Sequence, residues 1–318
     1  MIDADEAKRL QNGIKDCFGK FPTVNKVLSR LEDMVADGGQ SGEPPHMLLV
    51  GEPGTGKSTV LEYFMRRQRR IEHEEFTEVP ALKVEMPSKT TVRGLAGVLL
   101  HGMGSEYWDR GDQAQRTIQL TTLLRACLTR IVLLDEVNHL VDRGGAKTHH
   151  AVADWVKQLG GRGGPALALA GTPRSMALLG ANDQLRSRFG EVVVLEPFST
   201  LTPRKLDEFC GVMNCFSKLM GDLPRANLSE PATVRLIAFA TEGRLRSIRD
   251  LLLRAIKLAA VAERPKVDYA VLAAAFAEVI YRNAPPDRNP FLKEFSGVPL
   301  TKVGEPFGPE DHDGSKRR

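Results

Sequence analysis

The chain of 318 residues is 42% hydrophobic and 26% charged, an ordinary globular composition long enough for one large domain and a smaller one. Its four cysteines (Cys17, Cys127, Cys210 and Cys215) form no C-x-x-C pair, which argues against a zinc site and for reduced thiols. The charged start MIDADEAKRL and the lack of any apolar run near bilayer length set aside a secretory signal and a membrane span, so a cytoplasmic protein is expected; a net charge of +4 permits a nucleic-acid partner without requiring one.

Residues 1–45 read as an N-terminal helical segment and linker. FPTVNKVLSRLEDMVA places Val24, Val27, Leu28, Leu31 and Val35 on one helical face, and DGGQSGEPP stops it. HMLLV at 46–50 is a short buried strand. GEPGTGKST follows and feeds a helix running through VLEYFMRRQRR. ALKVEM at 81–86 reads as a strand, VRGLAGVLLHGM and QRTIQLTTLLRACLTR as helices, and IVLLDE at 131–136 as a strand. HHAVADWVKQLGG is helical, and ALALAGT at 166–172 and EVVVLE at 191–196 are strands. This alternation calls for a parallel sheet covered by helices on both faces, spanning 46–199. From about residue 200 the strand signal stops. Successive helices over 200–281 make a small all-α lid, and the Pro-, Gly- and charge-rich tail 282–318 is expected to be disordered.

GEPGTGKS matches G-x-x-x-x-G-K-[ST] in full, between a strand and a helix. Gly51, Gly54 and Gly56 allow the backbone to curl so that its N–H groups face phosphate oxygens, and the next helix adds its positive end. Lys57 is placed to reach the β and γ phosphates and the Ser58 hydroxyl to hold Mg²⁺. The whole stretch Gly51, Glu52, Pro53, Gly54, Thr55, Gly56, Lys57, Ser58 and Thr59 is therefore the expected ATP site. IVLLDE brings Asp135 to a strand's carboxyl end, where it would complete the Mg²⁺ shell, and Glu136 beside it would polarise a water. A small-molecule kinase has no need of Glu136 there, so hydrolysis is favoured. Thr172 ends the strand expected beside that of Asp135; it is either a polar sensor near the attacking water or a cap for the next turn. Arg186 and Arg188, expected in a loop, are either surface ion pairs or an arginine supplied to a neighbouring subunit's γ-phosphate.

With these parts in order the chain resembles an AAA+ ATPase over roughly residues 20–280. GEPGTGKST resembles Walker A, IVLLDE Walker B, GT at 171–172 sensor 1, and SRF at 187–189 the arginine-finger box, which implies that role for Arg188. EGRLRSIRDLL at 242–252 resembles the initiator-type sensor-2 helix, whose G-x-x-R falls on Gly243 and Arg246, with Arg244 and Arg249 as nearby competitors. A narrower resemblance, to the TniB/TnsC transposition ATPases, rests on KVEMPSKTTVRGLAGVLL (83–100), LLDEVNHLV (133–141) and LALAGTPRSMALLGANDQLRSRFG (167–190). It implies a homo-oligomer, bound to ATP and Mg²⁺, that wraps duplex DNA and recruits or activates a transposase, with a target-selection protein as a further partner.

Lys89, Thr90, Thr91 and Arg93 in PSKTTVR are the hydroxyl and basic groups that contact phosphates without reading sequence, or else solvated surface. RRQRR at 66–70 and the basic loop RGGAKTHH at 143–150 have the same two readings. His139 is expected to be structural, His149 and His150 diverge, and no metal beyond Mg²⁺ is expected. No nucleophilic triad or recombinase-type carboxylate set is present. The competing functions are a DNA motor or helicase-loader-type ATPase, a metabolite kinase, and a protein-directed signalling ATPase.

Overall fold

The computed structural model describes residues 4–19, 21–40, 42–87, 91–143, 146–180, 183–262 and 265–308. Two compact units divide the chain: Lys20–Glu196 forms one, and Met1–Gly19 joins Pro197–Arg318 in the other.

The first unit is α/β. Its elements are α2 (Pro22–Asp37; α1 lies in the other unit), β1 (His46–Val50), α3 (Lys57–Arg67), β2 (Ile71–Glu72), β3 (Thr77–Glu78), β4 (Ala81–Glu85), α4 (Val92–Met103), α5 (Gln113–Ala126), β5 (Ile131–Asp135), α6 (Asn138–Arg143), α7 (Ala146–Leu159), β6 (Ala166–Gly171), α8 (Ala177–Gly180), α9 (Asp183–Arg188) and β7 (Glu191–Val194). Five strands pair in the order β4-β5-β6-β1-β7, every pair parallel. Every residue of β1, β5 and β6 is buried, as continuous apolar strands require when helices cover both faces. One core cluster joins Leu48, Leu82, Leu99, Leu134, Trp155 and Leu167 across the sheet and its helices. Trp155 keeps its indole N–H satisfied by donating to Thr117 Oγ1 at 3.0 Å.

Helix ends follow local chemistry. Thr91 Oγ1 accepts from the Gly94 N–H at 3.0 Å to start α4, and Asp112 with Gln115 forms a reciprocal capping box on α5. His46 opens β1 with both ring nitrogens used. Nε2 donates to Gly160 O at 3.1 Å, Nδ1 accepts from Leu167 N–H at 3.0 Å, and the ring packs 5.1 Å from that of Phe189.

The second unit contains α1 (Ala4–Asp16), α10 (Pro203–Leu219), α11 (Pro231–Thr241), α12 (Leu245–Ala260) and α13 (Tyr269–Val279). Ala7, Leu10 and Ile14 are buried on α1, which packs against α10 and α12. The residues 1–45 expected to form one segment are thus split between the units.

Several expectations are corrected. On α2 the buried face uses Met34, while Val35 is half-buried, because successive turns drift around the helix axis. The P-loop helix ends at Arg67, and the short antiparallel ribbon β2–β3 follows instead of further helix. Arg186 and Arg188 lie on α9, not in a loop. The basic loop expected at 143–150 is largely helical, with α6 ending at Arg143 and α7 beginning at Ala146; residues 144–145 and the side chains of 142–150, including His149 and His150, lie outside the description. Residues 282–308 are not a loose tail. Arg288 is buried; its Nη2 and Nε lie 2.6 and 2.7 Å from Glu305 Oε1, and it donates to the carbonyls of Val298 and Pro299. Asn289 Nδ2 donates to Ala273 O at 3.0 Å, and the Phe291 ring meets that of Phe276 edge-on. Composition hides these contacts, which need only a few well-placed polar groups. Residues 309–318 lie outside the described chain. No described helix is long and apolar enough to cross a membrane.

Candidate nucleotide site

The P-loop leaves β1 at its carboxyl end, two strands from β5 with β6 between them. Gly54 and Gly56 take φ of +82° and +104°, the left-handed region in which glycine costs least. That curl seats Gly56 as the N-cap of α3 and starts the helix on Lys57. Lys57 is buried, and its Nζ donates to Gly51 O at 2.8 Å and Glu52 O at 3.1 Å. Thr55 Oγ1 also donates to Glu52 O, at 2.9 Å. Glu52 and Pro53 are exposed on the loop, and Ser58 and Thr59 are half-buried in the first turn of α3.

The neighbouring strand ends supply the acids. Asp135 closes β5 with its side chain 4% exposed; Oδ1 accepts from Glu136 N–H at 3.0 Å and Oδ2 lies 3.4 Å from Lys83 Nζ. Lys83, on adjacent β4, also approaches Glu62 of α3 at 3.7 Å. Glu136 takes φ of +56°, a left-handed conformation uncommon outside glycine and concentrated at functional turns. Val137 N–H then donates to Ala170 O at 2.9 Å, tying the segment after Asp135 to β6.

Thr172 follows β6. Its N–H donates to Asn138 Oδ1 at 3.3 Å, but its buried Oγ1 has no hydrogen-bond partner among the described residues, and neither has buried Ser175 Oγ. A buried hydroxyl left unbonded costs about 1–3 kcal/mol. The donor set fits a phosphate-bearing ligand with a hard cation: backbone N–H groups, an amine, a hydroxyl at Ser58 and a carboxylate at Asp135. Among the described residues no cluster of three His, Cys, Asp or Glu forms a separate metal site.

The remaining positions are described by their own local contacts. Arg188 Nη1 donates to Lys157 O at 2.7 Å and Nη2 to Glu43 Oε1 at 3.0 Å, whereas Arg186 is exposed. Arg246 is exposed on the first turn of α12, in the helical unit, with no hydrogen bond or ion pair among the described residues. Its two competitors are committed. Arg244 is paired with Glu242 and lies over the Phe307 ring at 5.1 Å, and Arg249 Nη2 donates to Cys17 O at 2.6 Å.

Of the basic turn, Lys89 and Thr90 lie outside the described residues; Thr91 spends its hydroxyl on the α4 cap, and Arg93 is exposed. In the RRQRR run, Arg67 pairs with Glu32 at 2.7 Å and Arg70 donates to Gly102 O at 2.8 Å. His139 Nδ1 bonds the Met86 carbonyl at 3.0 Å, as a structural histidine should. Sequence reasoning missed Lys83 and buried Arg116. Arg116 donates to the carbonyls of Asp109, Arg110 and Arg93 and so fixes the α4–α5 connection to the start of α4. A lone Lys inside the ALKVEM strand was the signal for the first; nothing distinguished the second.

Residues 9–200 match the family model described as bacterial TniB protein. No curated protein sequence matches the chain. Among solved structures, the chain resembles the Aeropyrum pernix Orc1 protein in complex with DNA at TM-score 0.59 and 18% identity, over 82% of this chain and 66% of that one. The Aeropyrum pernix Orc2 protein in ADPNP-ADP complexes gives 0.59 at 14% identity, over 82% and 67%. Drosophila ORC bound to DNA gives 0.55 at 16% identity, over 86% and 65%. The chain spans about two thirds of the length of each. The shared architecture is the AAA+ fold: a parallel P-loop sheet flanked by helices, with a C-terminal all-α part.

Proposed function

Because the chain belongs to the bacterial TniB family, we propose that it is an ATP-dependent, sequence-tolerant DNA-binding regulator of transposition. In this reading it oligomerises on target duplex DNA and recruits or activates a transposase, with hydrolysis controlling disassembly. The observation that carries the reading is the convergence of buried Lys57, Asp135 and an unbonded Thr172 hydroxyl at three strand ends.

Lys57 Nζ exchanges the carbonyls of Gly51 and Glu52 for β- and γ-phosphate oxygens, a swap that replaces neutral acceptors by charged ones. Ser58 and Asp135 would hold Mg²⁺, which would supply positive charge to offset that of the phosphate oxygens. Glu136 orients a water and accepts its proton at a carboxylate oxygen. Thr172 Oγ1 bonds the same water. Arg188 serves a neighbouring copy's γ-phosphate after giving up Glu43 and Lys157 O; exposed Arg186 serves if those bonds persist. Arg246 is the residue of this chain that reports the nucleotide. Lys89, Thr90, Thr91 and Arg93 meet the DNA backbone, which makes binding salt-sensitive and indifferent to sequence.

Support for DNA as partner comes from the family and from relatives whose structures contain DNA. The test is fluorescence anisotropy of labelled random-sequence duplexes with ATP or ADP. The reading expects tight binding with ATP, weaker binding with ADP, and a reduced salt slope in Lys89→Ala/Arg93→Ala. Equal affinity with both nucleotides, or none at all, would point to the protein-directed alternative.

A further inference from the structure

Helices α2, α5 and α7 all end at the edge of the sheet opposite the P-loop, where β5 and β6 begin. Between those ends lies a cavity of about 440 Å³, within the range of small-ligand pockets. Three arginines line it: Arg130 immediately before β5, Arg125 in the last turn of α5, and Arg162 in the turn GGRGGP before β6. Thr121, Thr129 and Gln158 add polar groups, and no acidic side chain lines the cavity.

The floor is built of backbone. A Cβ at Gly38 would lie 1.9 Å from Arg130 O, and one at Gly164 would lie 2.4 Å from Leu159 O. Glycine is therefore required at both positions for the main-chain segments of the floor to pack this closely, whereas Gly39 and Gly163 of the lining have nothing within 4 Å of a Cβ and leave space open. Arg125, Arg130 and Gln158 have no side-chain hydrogen bond or ion pair among the described residues, although Arg130 is half-buried. A guanidinium carries five donors and is seldom left unpaired when water is partly excluded.

A simpler explanation is that the arginines only offset three helix C-termini. Each such terminus carries roughly half a negative charge, so three contribute about −1.5 against +3 from the guanidinia. The lining therefore carries more positive charge than the helix termini offset. A phosphomonoester carries about −1.5 to −2 at neutral pH, whereas a phosphodiester or a carboxylate carries only one negative charge. We propose that this cavity binds the phosphate of a small phosphorylated molecule, at the amino ends of the strands, opposite the P-loop end. The site stands on its own residues and does not depend on the nucleotide reading.

Calorimetric titration of ribose 5-phosphate into the full-length Lys57→Ala protein tests this, because the P-loop is disabled there. Binding is expected, and Arg125→Gln/Arg162→Gln on that background should weaken it by about tenfold or more per guanidinium. Both of those side chains are exposed, so the fold should survive; a thermal melt checks that, and Arg130→Gln serves as a second variant. A parallel arm uses duplex DNA with and without 5′-phosphates. If only 5′-phosphorylated duplex responds to the arginine variants, the phosphate comes from a DNA end. If neither probe binds, or both bind equally to the arginine variants, the proposal is overturned.

Discussion

The two ends of β1 carry buried polar groups of opposite kinds. At its start His46 is 4% exposed and satisfied at both nitrogens, by Gly160 O and Leu167 N–H. Beyond its other end, buried Lys57 donates to the loop carbonyls of Gly51 and Glu52, and the Thr172 hydroxyl on the neighbouring strand end has no hydrogen-bond partner among the described residues. A polar group that is fully bonded inside one chain is finished as structure. One that is buried yet unfinished marks where a ligand completes the set. The same sheet is therefore closed at one end of β1 and poised at the other.

The largest effect should come from Lys57→Ala. Removing the amine that can trade loop carbonyls for phosphates should weaken ATP binding by about a hundredfold or more. A fluorescent ATP analogue measures it, and unchanged affinity would break the contrast at once. Glu136→Gln should keep ATP affinity within about threefold but cut turnover by about a hundredfold or more, the usual worth of a positioned base. Phosphate-release kinetics separate the two.

At the closed end the prediction concerns pH. Burial is the main cause that lowers the His46 pKa from the usual 6.5 to about 4, and the charge of Arg188 adds in the same direction. Above pH 6.5 both folded and unfolded chains hold a neutral imidazole and the group has no pH effect. As pH falls from 6.5 toward 4, the unfolded chain takes up a proton that the folded chain refuses, so stability is lost by about 3 kcal/mol across that window. Urea midpoints at pH 7.5 and 4.5 should reveal it, and His46→Gln should flatten it while leaving ATP affinity at pH 7.5 unchanged. The same pH slope in the variant would assign the loss to other groups.

The smallest effect is the most discriminating. Thr172→Val removes an unbonded hydroxyl in a near-isosteric swap and should change stability by less than about 1 kcal/mol, while hydrolysis falls about tenfold. A large stability loss would reveal a partner for that hydroxyl and place Thr172 with His46 among finished structural groups.

Much of the α/β unit was legible because its strands are continuous apolar runs with punctuation. HMLLV, IVLLD and ALALAG lie in the structure as three adjacent parallel strands. The loop GEPGTGKS was legible for the same local reason: its glycines demand a curl and its lysine begins a helix. What escaped depends on distant partners. Arg188 is held by Glu43, 145 residues away, and Lys83 meets Asp135 across β4 and β5, pairings that no window of sequence contains. The β2–β3 ribbon escaped because strands of two residues have no periodicity to read. Residues 282–308 escaped because one buried Arg288–Glu305 pair organises a segment whose composition looks solvated.

The central claim is that nucleotide at the poised end of β1 switches assembly on DNA. Electron microscopy of the purified protein with a slowly hydrolysed ATP analogue, with and without random-sequence duplex DNA, tests it most directly. Rings or filaments that form only when both are present are the predicted result. Assembly indifferent to DNA, or a monomer under every condition, would contradict it.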